Sequence, residues 1–114
     1  DELNIYSGND DHIVPVLSMG GSGCISVLSN VVPREAQALC RRFFAGDVAG
    51  AAALQCKLLP LVNALFSEVN PIPVNADLAA MGFGKGGVRL PLTPMEESRR
   101  AALLAEMKRL GVLA

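Results

Sequence analysis

The stretch GGSGCISVLSNV, which runs from Gly20 to Val31, decides how the rest of the chain is organised. Its glycines end the preceding segment, and the run from Cys24 to Leu28 is mostly apolar without regular alternation. Such a run is typical of a parallel β-strand that is buried on both faces. The stretch therefore predicts a parallel sheet, in which this strand must have neighbours.

The residues before this stretch predict one neighbouring strand and the helix that connects the two. Leu3 to Tyr6 has strand character and ends at the turn-forming pair Ser7-Gly8. Asp10 is then placed to cap a helix that runs to Met19, with Pro15 in its first turn. A strand, a helix and a second strand make a right-handed βαβ unit with parallel strands.

After Val31 the apolar residues recur at helical spacing, which predicts four helices. They are a helix from Pro33 to Gly46, a longer one capped by Asp47 and kinked at Pro60, one that follows Asn70 to Pro73 and ends at Gly82, and one that opens with the capping box Thr93 to Glu96.

Composition and charge exclude several classes of function. Hydrophobic residues make up 51% of the 114 residues, as in a well-buried globular protein. The formal net charge of -1 gives no electrostatic reason to expect a nucleic acid or an acidic membrane as a partner. No apolar run approaches the ~20 residues that a transmembrane helix needs, and no signal peptide is visible. The sequence therefore predicts a cytoplasmic protein with no nucleic-acid or membrane partner.

The cysteines predict no special chemistry. Cys24, Cys40 and Cys56 are odd in number and contain no C-x-x-C pair. In a strand and two helices they are expected to be free core thiols in a reducing compartment. No metal site and no cofactor are expected.

Three further features resemble functional motifs without the context those motifs need. Residues 82–87 match G-x-G-x-x-G, but a predicted helix precedes them, where a dinucleotide site needs a strand, so they are expected to form a loop. His12 is the single histidine and is expected at the surface of a first helical turn. Lys57, Lys85 and Lys108 lie in predicted helices or a loop, which is a poor position for an imine-forming nucleophile.

Two parallel strands by themselves leave two unpaired edges on an apolar sheet, so the sheet is expected to be part of a larger one. The natural parent is a TIM (β/α)8 barrel, of which these would be the last two strands. The fold class is therefore α/β, the C-terminal part of such a barrel followed by a helical region. In these barrels function lies at the carboxyl ends of the strands, here Ser7 to Asp10 and Leu28 to Asn30.

Four blocks of sequence then carry a resemblance to a known family. They are YSGNDD at 6–11, GGSGCISVLSNV at 20–31, EVNPIPVN at 68–75 and RLPLTP at 89–94. Together they resemble the C-terminal part of the dihydrodipicolinate synthases, a family of Schiff-base lyases built on a TIM barrel with added C-terminal helices. The resemblance implies that residues 1–46 hold the last two βα units of the barrel and that residues 47–114 are the C-terminal helical region. The chain departs from the family at Asn9, where many members have aspartate, and at Asn75, where the block would give lysine.

The resemblance implies a lyase that condenses pyruvate with L-aspartate 4-semialdehyde to 4-hydroxy-tetrahydrodipicolinate, on the diaminopimelate route to lysine. In the family a barrel lysine forms an imine with pyruvate, and a tyrosine relays protons. Both would lie upstream of residue 1, so this segment alone is predicted to be inactive and to need the missing N-terminal part of the barrel as a partner. The complete enzyme is expected to be a homotetramer, a dimer of dimers, in the cytoplasm.

Two residues of this chain match family site positions. Gly8 matches the glycine that lines the pyruvate pocket, and Ile25 matches the residue whose backbone carbonyl accepts a hydrogen bond at the catalytic lysine. Two alternatives stay open from the sequence. One is N-acetylneuraminate lyase or a related pyruvate-dependent sugar-acid aldolase, and the other is a stand-alone, non-catalytic interaction module.

Overall fold

The computed structural model describes residues 3–114, which contain two short parallel strands and five α-helices. The strands are β1 (Tyr6–Ser7) and β2 (Gly23–Cys24), and the helices are α1 (Ile13–Ser18), α2 (Pro33–Phe44), α3 (Val48–Leu65), α4 (Ile72–Ala80) and α5 (Glu97–Arg109). By its internal contacts the chain forms two compact units, one up to Leu59 and one from Pro60 onward. Each unit is described by itself below.

In the first unit β1 and β2 pair in parallel, as the sequence predicted. Tyr6 lies opposite Gly23 and Ser7 opposite Cys24. Both strands are shorter than predicted, and the second one ends before Leu28. Residues Leu28–Asn30 form a 3₁₀ turn instead, because a carboxylate from the end of β1 accepts the amides at its start and draws the chain out of the extended conformation.

The connection between the strands begins with the 3₁₀ turn Asp10–His12 and continues as α1. Pro15 lies in the first turn of α1, where its missing N–H costs no hydrogen bond. Gly20, with φ of 95°, ends the connection in a conformation that favours glycine. The prediction that Asp10 caps this helix was wrong, because its carboxylate accepts hydrogen bonds from Val27 and Leu28 instead.

Helices α2 and α3 begin where local signals predicted. Pro33 is the first residue of α2, and Gly46, with φ of 87°, follows its end. The side chain of Asp47 caps α3, since its Oδ1 accepts a hydrogen bond from the amide of Gly50 at 2.9 Å. Within α2, Ala36 and Leu39 are buried, whereas Phe44 is exposed.

Helix α3 corrects one expectation from the sequence. Its 18 residues have a mean hydropathy of 1.4, so in residues 3–114 this helix is long and apolar enough to cross a membrane by length and composition. Helices in the cores of globular proteins meet the same criterion. The buried residues of α3 recur at intervals of one to four residues, the pattern of a helix with one packed face. They are Ala51, Gln55, Leu58, Leu61, Val62 and Leu65.

In the second unit α4 begins at Ile72, slightly before its predicted start after Pro73, and α5 begins later than its predicted capping box. The expected first residue, Pro94, lies outside the helix, and Glu96 occupies the N-cap position without a side-chain cap. The amide of Glu96 instead donates to Oε1 of Glu68 at 2.9 Å. A carboxylate that is distant in sequence therefore satisfies an amide at the start of the helix. Leu103 and Met107 of α5 lie four residues apart and are fully buried.

Candidate functional site

The carboxyl ends of the two parallel strands lie side by side in the first unit. Because Ser7 is opposite Cys24, the next residues in register are Gly8 and Ile25, the two site residues that the sequence predicted. The amide of Ile25 donates to the carbonyl of Ser7 at 2.8 Å, which is the last hydrogen bond of this strand pair within residues 3–114. The pairing therefore brings Gly8 and Ile25 to one edge of the sheet.

Gly8 is not required by the local backbone or by packing within the described chain. Its φ is not positive, and a Cβ built on it meets no atom within 4 Å. A larger residue would therefore project into open space at the strand end.

Ile25 is held in the first unit by its backbone rather than by packing of its side chain. Its amide is hydrogen-bonded, whereas its side chain is 75% exposed and contributes little to the core of the first unit. Its carbonyl belongs to the first peptide group beyond the strand pairing. A backbone carbonyl at a strand end is an acceptor whose direction the fold can fix.

Asp10 is the most deeply buried polar residue at this edge, with only 1% of its surface exposed. Its Oδ2 accepts two hydrogen bonds, from the amide of Val27 at 3.0 Å and from that of Leu28 at 2.9 Å. These two amides open the 3₁₀ turn that follows β2, so a single carboxyl oxygen accepts from both of them. Its other oxygen, Oδ1, is buried and has no partner within the described residues.

Gln55 of α3 holds the backbone on the other side of Asp10. Its Nε2 donates to the carbonyl of Asp10 at 2.8 Å, and its Oε1 accepts from the amide of Val14 at 3.3 Å. The side chain is 7% exposed and is the polar member of the buried face of α3. Sequence reasoning missed it, although a glutamine within a run of apolar positions was a usable signal.

The remaining polar side chains at this edge serve the local backbone. Ser7 Oγ donates to the carbonyl of Asn9 at 2.7 Å, and Asn30 Nδ2 donates to that of Val27 at 3.0 Å. Ser29 donates its amide to Ser26 Oγ and its hydroxyl to the carbonyl of Ser26. These hydrogen bonds fix the backbone groups at this edge. Within residues 3–114 the edge contains no nucleophile paired with a general base.

The thiols differ from the expected core cysteines. Sγ of Cys24 and Sγ of Cys40 lie 3.8 Å apart, both are free, and Cys56 is exposed rather than buried. Burial, together with the neighbouring Cys40, raises the pKa of Cys24 to about 12. A thiol with this pKa stays protonated near neutral pH and is a poor nucleophile.

The other candidate residues lie where the sequence placed them. His12 is exposed, with its Nδ1 3.6 Å from a carboxylate oxygen of Asp11. Residues 82–87 form a loop that follows α4 and contains three glycines with positive φ. A search of residues 3–114 finds no group of three or more His, Cys, Asp or Glu side chains that could hold a metal ion.

Asp77 in the second unit is a buried carboxyl that sequence reasoning did not identify. It is fully buried, and neither of its carboxylate oxygens has a hydrogen-bond partner in the described part of the chain. Burial raises its pKa to about 7. Ile72 and Val74, which precede it in the same helix, are also buried. Asp77 therefore occupies a core position that an apolar residue would normally fill.

Comparison with known sequences gives the family. The sequence model of the dihydrodipicolinate synthetase family matches residues 1–110. The chain belongs to this family. It is 52% identical over 112 residues to the 4-hydroxy-tetrahydrodipicolinate synthase of Lachnoclostridium phytofermentans, an alignment that covers 98% of this chain and 38% of that protein. The chain thus spans well under half the length of the curated relative.

Solved structures of dihydrodipicolinate synthases match the fold. The Thermotoga maritima synthase superposes with a TM-score of 0.95 at 44% identity, over 96% of this chain and 37% of that one. The Acinetobacter baumannii synthase, chloride inhibited and in complex with pyruvate, gives 0.92 at 38% identity, over 97% and 38%. These relatives are TIM barrels, and the match lies in their C-terminal portion. The predicted fold class is confirmed.

Proposed function

We propose that this chain is the C-terminal segment of a 4-hydroxy-tetrahydrodipicolinate synthase, a lyase that condenses pyruvate with L-aspartate 4-semialdehyde in lysine biosynthesis. The match of residues 1–110 to the dihydrodipicolinate synthetase family carries the proposal. The pyruvate complex of the Acinetobacter baumannii relative supports the first substrate. Residues 1–46 would supply the last two βα units and residues 47–114 the added helical region.

In the proposed reaction a lysine from the rest of the barrel attacks the ketone carbon of pyruvate and forms an imine with loss of water. The imine draws electrons from the methyl group, which is deprotonated and then attacks the aldehyde carbon of the semialdehyde. This chain would contribute the Ile25 carbonyl, which accepts a hydrogen bond from the reacting amine and orients it. Gly8 would leave room for pyruvate beside that amine.

The chemistry of the imine requires no further cofactor and no metal ion. The segment by itself would be inactive, because the lysine and the proton-relay tyrosine belong to the remainder of the barrel. The complete enzyme is proposed to be a cytoplasmic homotetramer, a dimer of dimers.

A hybrid enzyme tests the proposed function. In it, this chain replaces the matching C-terminal segment of the Thermotoga maritima synthase, to which it is 44% identical with a TM-score of 0.95. We expect the hybrid to consume pyruvate and L-aspartate 4-semialdehyde. Borohydride reduction in the presence of pyruvate should label a lysine outside residues 1–114. The parent synthase and its N-terminal segment alone serve as controls.

Three results would contradict the proposal. A hybrid that folds, as judged by circular dichroism, but does not convert the two substrates would exclude the proposed function. Turnover of N-acetylneuraminate in place of those substrates would favour a sugar-acid aldolase. Labelling of Lys57, Lys85 or Lys108 would place the nucleophile in this chain and overturn the assignment of the lysine to the remainder of the barrel.

A further inference from the structure

The peptide group between Ile25 and Ser26 lies between two amides that the fold holds in place. The amide of Ile25 donates to Ser7 in β1 at 2.8 Å, and the amide of Val27 donates to Oδ2 of Asp10 at 3.0 Å. A peptide group is planar, so the direction of its carbonyl is set by the backbone on either side of it. The direction of the Ile25 carbonyl therefore depends on the Asp10 carboxylate.

Asp10 is in turn held from α3, across 45 positions of sequence. Gln55 donates to the carbonyl of Asp10 at 2.8 Å and accepts from the amide of Val14 at 3.3 Å. Both side chains are more than nine-tenths buried, so neither hydrogen bond competes freely with water. One glutamine thereby ties α3 to the backbone that connects β1 with α1.

We propose that Asp10 and Gln55 are positioning residues of the active site. Gln55 holds Asp10, and Asp10 holds the backbone at Val27 and Leu28, so that the Ile25 carbonyl points at the amine that forms the imine. The inference rests on the proposed function, because it takes that carbonyl as the contact to the reacting amine. Neither side chain touches substrate in this scheme.

Two substitutions of Asp10 distinguish a role of its hydrogen bonds from a role of its charge. Asparagine keeps one acceptor oxygen for the amides of Val27 and Leu28, and its NH₂ group replaces Oδ1, which has no partner in residues 3–114. Alanine leaves both amides without an acceptor. A misplacement of about 1 Å costs on the order of 100-fold in rate, so Asp10→Ala should slow imine formation about 10- to 100-fold. Asp10→Asn should stay within a few-fold of the parent hybrid.

The test uses the hybrid enzyme and four variants: Asp10→Ala, Asp10→Asn, Gln55→Ala and, as a matched control, Asp11→Ala. Asp11 adjoins Asp10 but its side chain is 41% exposed and faces His12. The rate of pyruvate imine formation is measured by rapid borohydride trapping, next to kcat, the KM for each substrate and the melting temperature. We expect Asp10→Ala and Gln55→Ala to slow trapping in protein that is fully folded, with Asp11→Ala unchanged.

The outcomes are distinguishable from failure of the proposed function. If the parent hybrid folds and is inactive, the proposed function fails before any variant is made. If the parent is active but Asp10→Ala and Gln55→Ala trap pyruvate as fast as Asp11→Ala, the positioning role is wrong. The positioning role is also wrong if the loss in the rate of imine formation is fully explained by the fraction of unfolded protein. It is likewise wrong if folded Asp10→Asn forms the imine as slowly as Asp10→Ala. Should Asp10→Ala not fold, Gln55→Ala and Asp10→Asn decide by the same criteria.

Discussion

Asp10 and Asp77 are both buried aspartates, and their surroundings give them different properties. Asp10 accepts hydrogen bonds from two backbone amides, which stabilise a carboxylate. Asp77 has no partner for either oxygen within residues 3–114, and burial raises its pKa to about 7. A buried carboxyl without donors is most stable as the neutral acid. The second unit should therefore be more stable when Asp77 is protonated.

Asp77 gives a prediction about pH. In the unfolded chain its carboxyl titrates near a pKa of about 3.9, whereas in the folded chain the pKa is about 7. Between these values the folded state binds more protons, so the free energy of unfolding should fall as pH rises from about 4 to about 7 and level off above. Asp77→Asn does not titrate. It should melt higher than the parent hybrid at pH 8 and show a flatter dependence between pH 5 and 7.

The measurement is the melting temperature of the hybrid enzyme and its variants, by circular dichroism, at several pH values between 5 and 8. Glu97→Gln is the matched control, since it removes a carboxylate whose side chain is 85% exposed and which lies beside Arg100 rather than beside a histidine. An Asp77→Asn variant with the same pH dependence as the parent would show that Asp77 is ionised throughout this range.

Gly8 gives a prediction about substrate binding. A Cβ added at Gly8 meets no atom of the described chain within 4 Å, so Gly8→Ala should not lower the melting temperature of the hybrid. If Gly8 lines the pyruvate pocket, the methyl group should raise the KM for pyruvate by about tenfold or more, because the substrate loses its near-attack position. Gly87→Ala is the control, since its added Cβ also meets open space. An unchanged KM for pyruvate would remove Gly8 from the site.

The helices and turns differ in how far along the sequence the acceptor for their first amides lies. Asp47 caps α3 locally, three residues before the amide that it accepts. The 3₁₀ turn after β2 and the start of α5 receive their carboxylates from 17 or more residues away, from Asp10 and Glu68. A local cap is visible in the sequence, whereas a remote one depends on the tertiary fold.

The local cap of α3 gives a prediction about stability. Asp47→Ala removes the acceptor for the amide of Gly50 and should lower the free energy of unfolding by about 1 kcal/mol. Asp47→Asn keeps the capping oxygen and loses the exposed ion pair with Arg42, whose atoms are 3.6 Å apart and which should contribute little. Urea unfolding of the hybrid measures both. Equal losses for alanine and asparagine would assign the stabilisation to charge rather than to the cap.

For the whole molecule, the important feature is the apolar surface beside the strands of the first unit. Ile5, Tyr6 and Ile25 are 56%, 50% and 75% exposed, and Leu3 is 86% exposed. A two-stranded parallel sheet also leaves unpaired backbone groups on its edges, which favours association with other chains. The synthases that the chain matches are more than twice its length and have a complete barrel at this place.

This surface gives a prediction about the isolated chain. Residues 1–114 expressed alone should self-associate or lack fixed tertiary packing, seen as a broad size-exclusion profile, binding of a hydrophobic dye and a weak near-UV circular dichroism signal. Addition of the N-terminal segment of the Thermotoga maritima synthase should reduce the dye binding. A monodisperse chain that unfolds cooperatively without a partner would instead support the stand-alone interaction module.

The sequence by itself determined the elements whose signals are local. Pro33, Gly46 and Asp47 set the end of one helix and the starts of two, and these predictions held because each signal acts on the backbone within a few residues of itself. The apolar run from Cys24 to Leu28 indicated a parallel strand, and the pairing is parallel, but only Cys24 of that run lies in β2 and Ile25 is exposed. The strand-end pair Gly8 and Ile25 came from the family resemblance, and parallel pairing brings both residues to one edge.

Only the tertiary structure decided how the buried polar groups are used. Asp10 was predicted to cap its own helix and instead accepts amides 17 and 18 residues away, while Gln55 reaches back 45 residues to hold it. The amide at the start of α5 donates to Glu68, 28 residues earlier, and Asp77 is buried without a hydrogen-bond partner in residues 3–114. A buried polar group must find its partner among whatever the fold brings close, and that set of neighbours is not encoded within any short stretch of sequence.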